Sequence, residues 1–95
     1  IVNTASQLAI AGGAGNAAYI AAKGAILSLT RTMALDFAAD RIRVNALAPG
    51  AIDTPMLRRS FGRAADPAAA EANSVARHPL GRLERPEEIA EAALY

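Results

Sequence analysis

Apolar and polar positions along this chain fall into two periods. Residues 1–6, IVNTAS, open with β-branched side chains and predict a short buried strand. QLAIAGGAGN, residues 7–16, predicts a glycine-rich loop on the substrate side of the fold. From Ala17 to about Ala39 the pattern is helical, with no proline, a single Gly24, and Asn16 as the expected N-cap. Tyr19, Lys23, Ile26, Thr30, Met33 and Phe37 follow one stripe of that helix, and Ala22, Leu29 and Ala34 widen it. A stripe this wide is expected to face a core or a partner. RIRVNALAPG predicts a second strand at about residues 42–47, stopped by Pro49-Gly50. Helices follow near residues 55–62 and 67–76, then a loop, RHPLGRLER. A last helix starts at Pro86, with Glu87 and Glu88 favourable to its dipole.

Strand, long helix and strand make a βαβ crossover, so the fold class is α/β with a parallel sheet and a right-handed connection. Two strands are too few for a sheet that must be covered on both faces. The rest of the sheet is expected from residues outside this stretch, which makes residues 1–95 part of one doubly wound domain with no separate second domain.

Composition narrows the function classes. The chain is 53% hydrophobic and 20% charged, a globular balance, and its 95 residues bury only a modest core. A net charge of +1 with scattered arginines gives no case for nucleic acid. Arg58, Arg59 and Arg63 come nearest to a cluster and are expected on a solvated helix face. With no cysteine there is no disulfide framework and no thiolate metal site, and the lone His78 is expected as an exposed loop residue. Residues 1–22 carry no charge, but Asn3, Thr4, Ser6, Gln7 and Asn16 and the glycines interrupt the run, so no membrane span is predicted. The run shows no initiating Met and no basic n-region, so a secretory signal is not expected in it either.

One motif invites a wrong assignment. Gly13, Gly15 and Ala18 satisfy G-x-G-x-x-A, which in a dinucleotide fingerprint cradles pyrophosphate at a helix N-terminus. That mechanism puts the first glycine in the turn directly after the strand, whereas Gln7 to Gly12 intervene here. The acid expected about 20 residues on would be Asp36, inside the helix rather than at a strand end.

Tyr19 and Lys23 are a stronger signal. Lys23 is the only lysine against nine arginines, and four residues on a helix bring two side chains to one face. A free phenol is about one part in a thousand ionised at neutral pH, and an ammonium within about 4–6 Å favours the phenolate. A lysine is also a compact donor with three rotatable hydrogens, able to serve a second acceptor. By spacing alone, an ordinary tyrosine and lysine one turn apart explain the pair as well. The surroundings decide. Ser6 ends the first strand, and Pro49, Gly50 and Thr54 follow the second; the carboxyl ends of parallel strands are where ligands bind.

These stretches together resemble the short-chain dehydrogenase/reductase family, nearest in pattern to its 3-oxoacyl-(acyl-carrier-protein) reductase-like and glucose 1-dehydrogenase-like members. The matching stretches are IVNTAS with its serine, Tyr19-x-x-x-Lys23, RIRVNALAPGAIDTPM and PLGRLERPEEIAEAALY, in order over the whole chain. The resemblance implies a Rossmann-like domain of which residues 1–95 are the C-terminal, catalytic portion, and NAD or NADP as cofactor. It implies interconversion of a secondary alcohol and a ketone, with Tyr19 as general acid or base and Lys23 favouring its phenolate and holding the nicotinamide ribose. Ser6 would polarise the substrate oxygen. Pro49, Gly50, Ile52 and Thr54 would lie against the nicotinamide, Ile52 by its backbone and Thr54 by its hydroxyl near the carboxamide. A cytoplasmic homodimer or homotetramer assembled through the long helix is implied, with a small-molecule substrate and no metal.

The family's N-terminal glycine-rich turn, its adenosine-ribose reader and its asparagine all fall outside these residues, so the choice between NAD and NADP is unreadable. The 95 residues alone are expected to be inactive. Asn3 and Asn45 match family positions, though side-chain caps of backbone ends describe them better. Substrate choice falls to about Met56–Ala76, where Arg58 and Arg59 would suit an acidic or acyl-carrier substrate. Two other functions stay open: a dehydratase or epimerase of the same superfamily, and a non-catalytic oligomeric or regulatory relative.

Overall fold

Two short parallel strands joined by a long helix organise the first half of the chain. The computed structural model describes residues 1–95, which divide into two units, Ile1–Pro49 and Gly50–Tyr95.

In the first unit β1 (Val2–Thr4) pairs with β2 (Asn45–Leu47) in register Val2↔Asn45, Asn3↔Ala46, Thr4↔Leu47. The strands are shorter than predicted, but their backbone pairing runs further. Asn45 N–H donates to Ile1 O at 3.0 Å, Ala5 N–H to Leu47 O at 2.8 Å, and Gln7 N–H to Pro49 O at 2.9 Å. Residues 7–16 are not the plain loop predicted: Leu8–Ala11 form one helical turn, α1, closed by Gly12 in the left-handed region at φ 76°. A Cβ on Gly13 would lie 3.2 Å from Leu8 Cδ2 and 3.6 Å from Ile20 Cδ1, so α1 and the following helix approach closely there.

That helix, α2 (Ala17–Asp36), ends three residues earlier than predicted. After Met33 accepts from Phe37 N–H at 3.0 Å, the chain tightens into three-residue turns, Asp40 onto Phe37 and Arg41 onto Ala38. Arg41 takes a left-handed φ of 57° to reverse toward β2, a conformation that costs a non-glycine residue roughly 1–2 kcal/mol. Asn16 does not cap α2 with its side chain. The predicted stripe does face the strands: Thr30 is buried, Lys23, Ile26, Met33 and Phe37 are half-buried, and α2 packs on both β1 and β2. Ala22 and Leu29, on the widened edge, are exposed.

The second unit carries α3 (Pro55–Gly62), α4 (Pro67–Ala76) and α5 (Pro86–Leu94). All three begin on proline, which fits the first helical position because its missing N–H would have no intrahelical partner. Thr54 Oγ1 accepts from Leu57 N–H at 3.2 Å and Asp66 Oδ1 from Ala69 N–H at 3.2 Å, each satisfying an orphan donor. Phe61 and Ser74 are buried, and a single parallel bridge pairs Ile52 with Glu84.

At the start of α5, Glu88 accepts both guanidinium nitrogens of Arg82, at 2.6 and 2.8 Å, and the Arg85 N–H at 2.7 Å. Arg82, and after it the Arg85 amide, draw the Glu88 carboxyl from its ordinary 4.5 to about 2. A value lowered in the folded state means that this tie is fully present above 4.5 and is lost as pH falls toward 2. A side-chain NMR titration is expected to place the Glu88 midpoint near 2 in the wild type and markedly higher in Arg82→Gln. A midpoint near 4.5 in both would show that the pair does not form in solution.

Candidate active site

The carboxyl end of β1 and the first two turns of α2 hold Ser6, Tyr19 and Lys23, all within the first unit. The Lys23 ammonium donates to the Thr4 carbonyl at 3.0 Å, tying α2 to the end of β1 two residues before Ser6. The same nitrogen lies 5.8 Å from the centre of the Tyr19 ring, inside cation–π range. The ring and the ammonium thus share one face of α2, as a spacing of four residues on a helix requires. Of the three ammonium hydrogens one is committed, leaving two for other acceptors.

Ser6 is buried at 6% exposure, while Tyr19 is 40% exposed. The Ser6 hydroxyl oxygen accepts from Leu8 N–H at 3.2 Å and its carbonyl accepts from Ala9 N–H, so the serine is the fixed start of α1. An oxygen that accepts from the backbone keeps its own hydrogen free to donate outward. Pro49 is brought to this end of the sheet by its carbonyl's bond to Gln7 N–H, the residue after Ser6.

Gly50, Ile52 and Thr54 open the second unit, where their segment is held by two backbone bonds to one residue. Asp53 N–H donates to Glu84 O at 2.8 Å and Glu84 N–H to Ala51 O at 2.9 Å. In a parallel bridge the flanking residues make the bonds, so the N–H and carbonyl of Ile52 itself take no partner in the chain. The Thr54 oxygen caps α3, which leaves its hydrogen available. Within the first unit the two free donors of Lys23 are of the kind that suits a ribose hydroxyl; within the second, the free backbone of Ile52 and the Thr54 hydroxyl are of the kind that suits a carboxamide, so each set by its chemistry fits part of a nicotinamide nucleotide.

Other expectations are corrected. Arg58 is not free for an acidic substrate: it grips Asp53 with Nε and Nη2 at 2.7 and 2.9 Å, and Glu71 with Nη1 at 2.7 Å. Hydrogen bonds from Arg58 hold the Asp53 carboxyl below its ordinary range, and Asp53 and Glu71 in turn raise the guanidinium. Asn3 caps no backbone end; its amide donates to Thr30 Oγ1 at 3.0 Å, whose hydroxyl donates to Ile26 O at 2.7 Å, a relay from β1 into α2. Asn45 makes no side-chain hydrogen bond, so it caps no backbone end either. His78 is half-buried rather than an exposed loop residue, and its ring bonds on both sides. Nothing in the sequence signals its partner, Ala51, which is 27 residues away.

The family model described as enoyl-(acyl carrier protein) reductase matches residues 1–95. The chain belongs to the short-chain dehydrogenase/reductase family. Over its whole length it is 47% identical to cis-4-hydroxycyclohexanecarboxylate dehydrogenase of Sinomonas cyclohexanicum, covering 36% of that protein. It is also 47% identical over its whole length to the inactive 2-(S)-hydroxypropyl-CoM dehydrogenase 2 of Xanthobacter autotrophicus, covering 41%. A short chain dehydrogenase family protein of Francisella tularensis, 33% identical, superposes with a TM-score of 0.93 over 99% of this chain and 41% of its own. The strands and helices described above are thus part of the Rossmann-like sheet of short-chain dehydrogenase/reductases, and the chain spans between about a third and two-fifths of these relatives' length.

Proposed function

We propose that the protein carrying this chain is an NAD- or NADP-dependent oxidoreductase that interconverts a secondary alcohol and a ketone. The observation that carries this reading is the Lys23 ammonium, fixed on the Thr4 carbonyl at the end of β1 and 5.8 Å from the Tyr19 ring. When bound, the nicotinamide supplies or accepts the hydride. In the reducing direction the Tyr19 hydroxyl gives its proton to the carbonyl oxygen, and Lys23 compensates the negative charge left on the phenol. The free hydrogen of Ser6 donates to the same substrate oxygen, stabilising the charge that develops there. In oxidation Tyr19 takes the proton back. Tyr19 and Lys23, with Pro49, Gly50, Ile52 and Thr54, hold the nicotinamide end of the cofactor.

Assembly as a homodimer or homotetramer through α2 is part of the proposal, supported by the exposed Leu29, 54% accessible on this chain. A cytoplasmic location goes with it. No helix is long and apolar enough to cross a membrane.

Identity to an inactive dehydrogenase favours a second reading, a relative without catalysis. Titration of the intact protein with NADH and with NADPH, followed by nicotinamide fluorescence, separates the two. Binding of one nucleotide at micromolar concentration or below is expected. If neither binds, the oxidoreductase reading is wrong and α2 as an assembly surface becomes the better account.

A further inference from the structure

His78 lies just ahead of the family-like stretch PLGRLERPEEIAEAALY, and its imidazole is held at both ring nitrogens. Nε2 accepts from Ala51 N–H at 3.0 Å, and Nδ1 faces Ser74 O at 2.7 Å. A backbone N–H can only donate and a carbonyl can only accept, so the ring is the neutral tautomer with its hydrogen on Nδ1. Ser74 is itself buried, at 4% exposure near the end of α4, which gives the ring a fixed anchor. The imidazole therefore transmits the position of α4 to the amide of Ala51, between Gly50 and Ile52.

The same segment has no room to relax toward the ring. A Cβ on Gly50 would lie 2.7 Å from His78 Nε2 and 2.8 Å from Glu84 Oε1. On the other side, the Glu84 backbone holds Ala51 O and Asp53 N–H. Ala51 is thus gripped at its carbonyl by one backbone and at its amide by one side chain. Only the second grip depends on a particular side chain, because any residue but proline at position 84 supplies an N–H and a carbonyl.

We propose that His78 is the positioning residue of the nicotinamide-holding loop: by accepting the Ala51 N–H it fixes the course of Gly50–Thr54 on which Ile52 and Thr54 reach the cofactor. This rests on the oxidoreductase reading above. His78 touches neither substrate nor the reacting atoms; it acts through Ala51.

The test uses the intact protein, titrated with NADH and NADPH by nicotinamide fluorescence and assayed for the KM of the bound nucleotide and for kcat. His78→Leu removes the acceptor and leaves a part-buried amide unpaired, which is expected to weaken nucleotide binding roughly ten- to a hundredfold. The loss is expected in the nucleotide KM more than in kcat. His78→Gln offers an amide oxygen to Ala51 and an amide N–H to Ser74, and is expected to recover most of the affinity. Should His78→Leu fail to fold, His78→Phe, which fills the space with a ring that accepts nothing, takes its place in the comparison. Wild-type affinity in the acceptor-free variant overturns the role, and so does equal weakness in that variant and His78→Gln, since the ring would then act by bulk alone. Failure of both acceptor-free variants to fold also overturns it, because His78 would then be a stability element. If the wild type binds neither nucleotide, the oxidoreductase reading falls and takes this role with it; if the wild type binds, only the His78 assignment is at stake.

Discussion

Tyr19→Phe is expected to lower kcat about 10²- to 10⁴-fold, the usual contribution of a positioned general acid or base. The substitution deletes one oxygen and keeps the ring, so the cation–π contact with Lys23 and the Lys23 bond to Thr4 both survive. Nucleotide affinity is therefore expected to stay within a few-fold of the wild type. The check is a steady-state assay on secondary alcohols and ketones beside the fluorescence titration. Loss of turnover with binding intact places the proton transfer on Tyr19. Turnover within tenfold of wild type would move it to another group, and equal loss of binding would make the phenol a structural contact.

Gly50→Ala is the second large effect expected. Its φ lies outside the left-handed region, so the requirement is space rather than conformational freedom. The added methyl would sit 2.7 Å from His78 Nε2 and 2.8 Å from Glu84 Oε1, inside the distance any carbon keeps. The Glu84 carboxylate is the end of a flexible side chain and can swing away. The imidazole is held at both nitrogens and cannot move without releasing Ala51 or Ser74. Overpacking of this kind costs about 1–3 kcal/mol, which corresponds to roughly a ten- to hundredfold loss wherever the loop geometry is needed. The expected result is a raised Kd for the nucleotide, with little recovery from Glu84→Ala because that change relieves only the softer contact. A Gly50→Ala protein with wild-type affinity would show that the loop absorbs the methyl freely.

The Arg58 cluster illustrates how placement changes a functional guess. Two adjacent arginines near a substrate segment read as an anion site, yet Arg58 is paired with Asp53 and Glu71 and joins the loop before α3 to α4. All three side chains are more than two-fifths exposed, so the pair energies are modest, and the consequence is geometric.

Much of the local structure was legible from residues within one turn of one another. The prolines at 55, 67 and 86 start their helices, and Thr54 and Asp66 cap two of them, because these signals act on the backbone three or four residues away. The same is true of Tyr19 and Lys23: a helix puts residues four apart on one face, whatever else surrounds them. At four residues α1 is too short to show a period, and Ala38 and Ala39 continue the helical pattern beyond the helix end at Asp36, just ahead of the left-handed turn at Arg41.

What the tertiary structure alone decided are the partners far along the chain: Lys23 with Thr4, Asn3 with Thr30, Arg58 with Glu71, His78 with Ala51. None has a sequence signature, because each depends on which backbone the fold carries past a side chain. By itself the sequence determined that a phenol and an ammonium share a helix face; the parallel pairing of β1 with β2 under α2 decided that the ammonium is anchored at a strand end beside Ser6. The physical reason is range, since propensity and capping act over a single turn while a hydrogen bond across 19 to 27 residues exists only once the chain between has closed its loop.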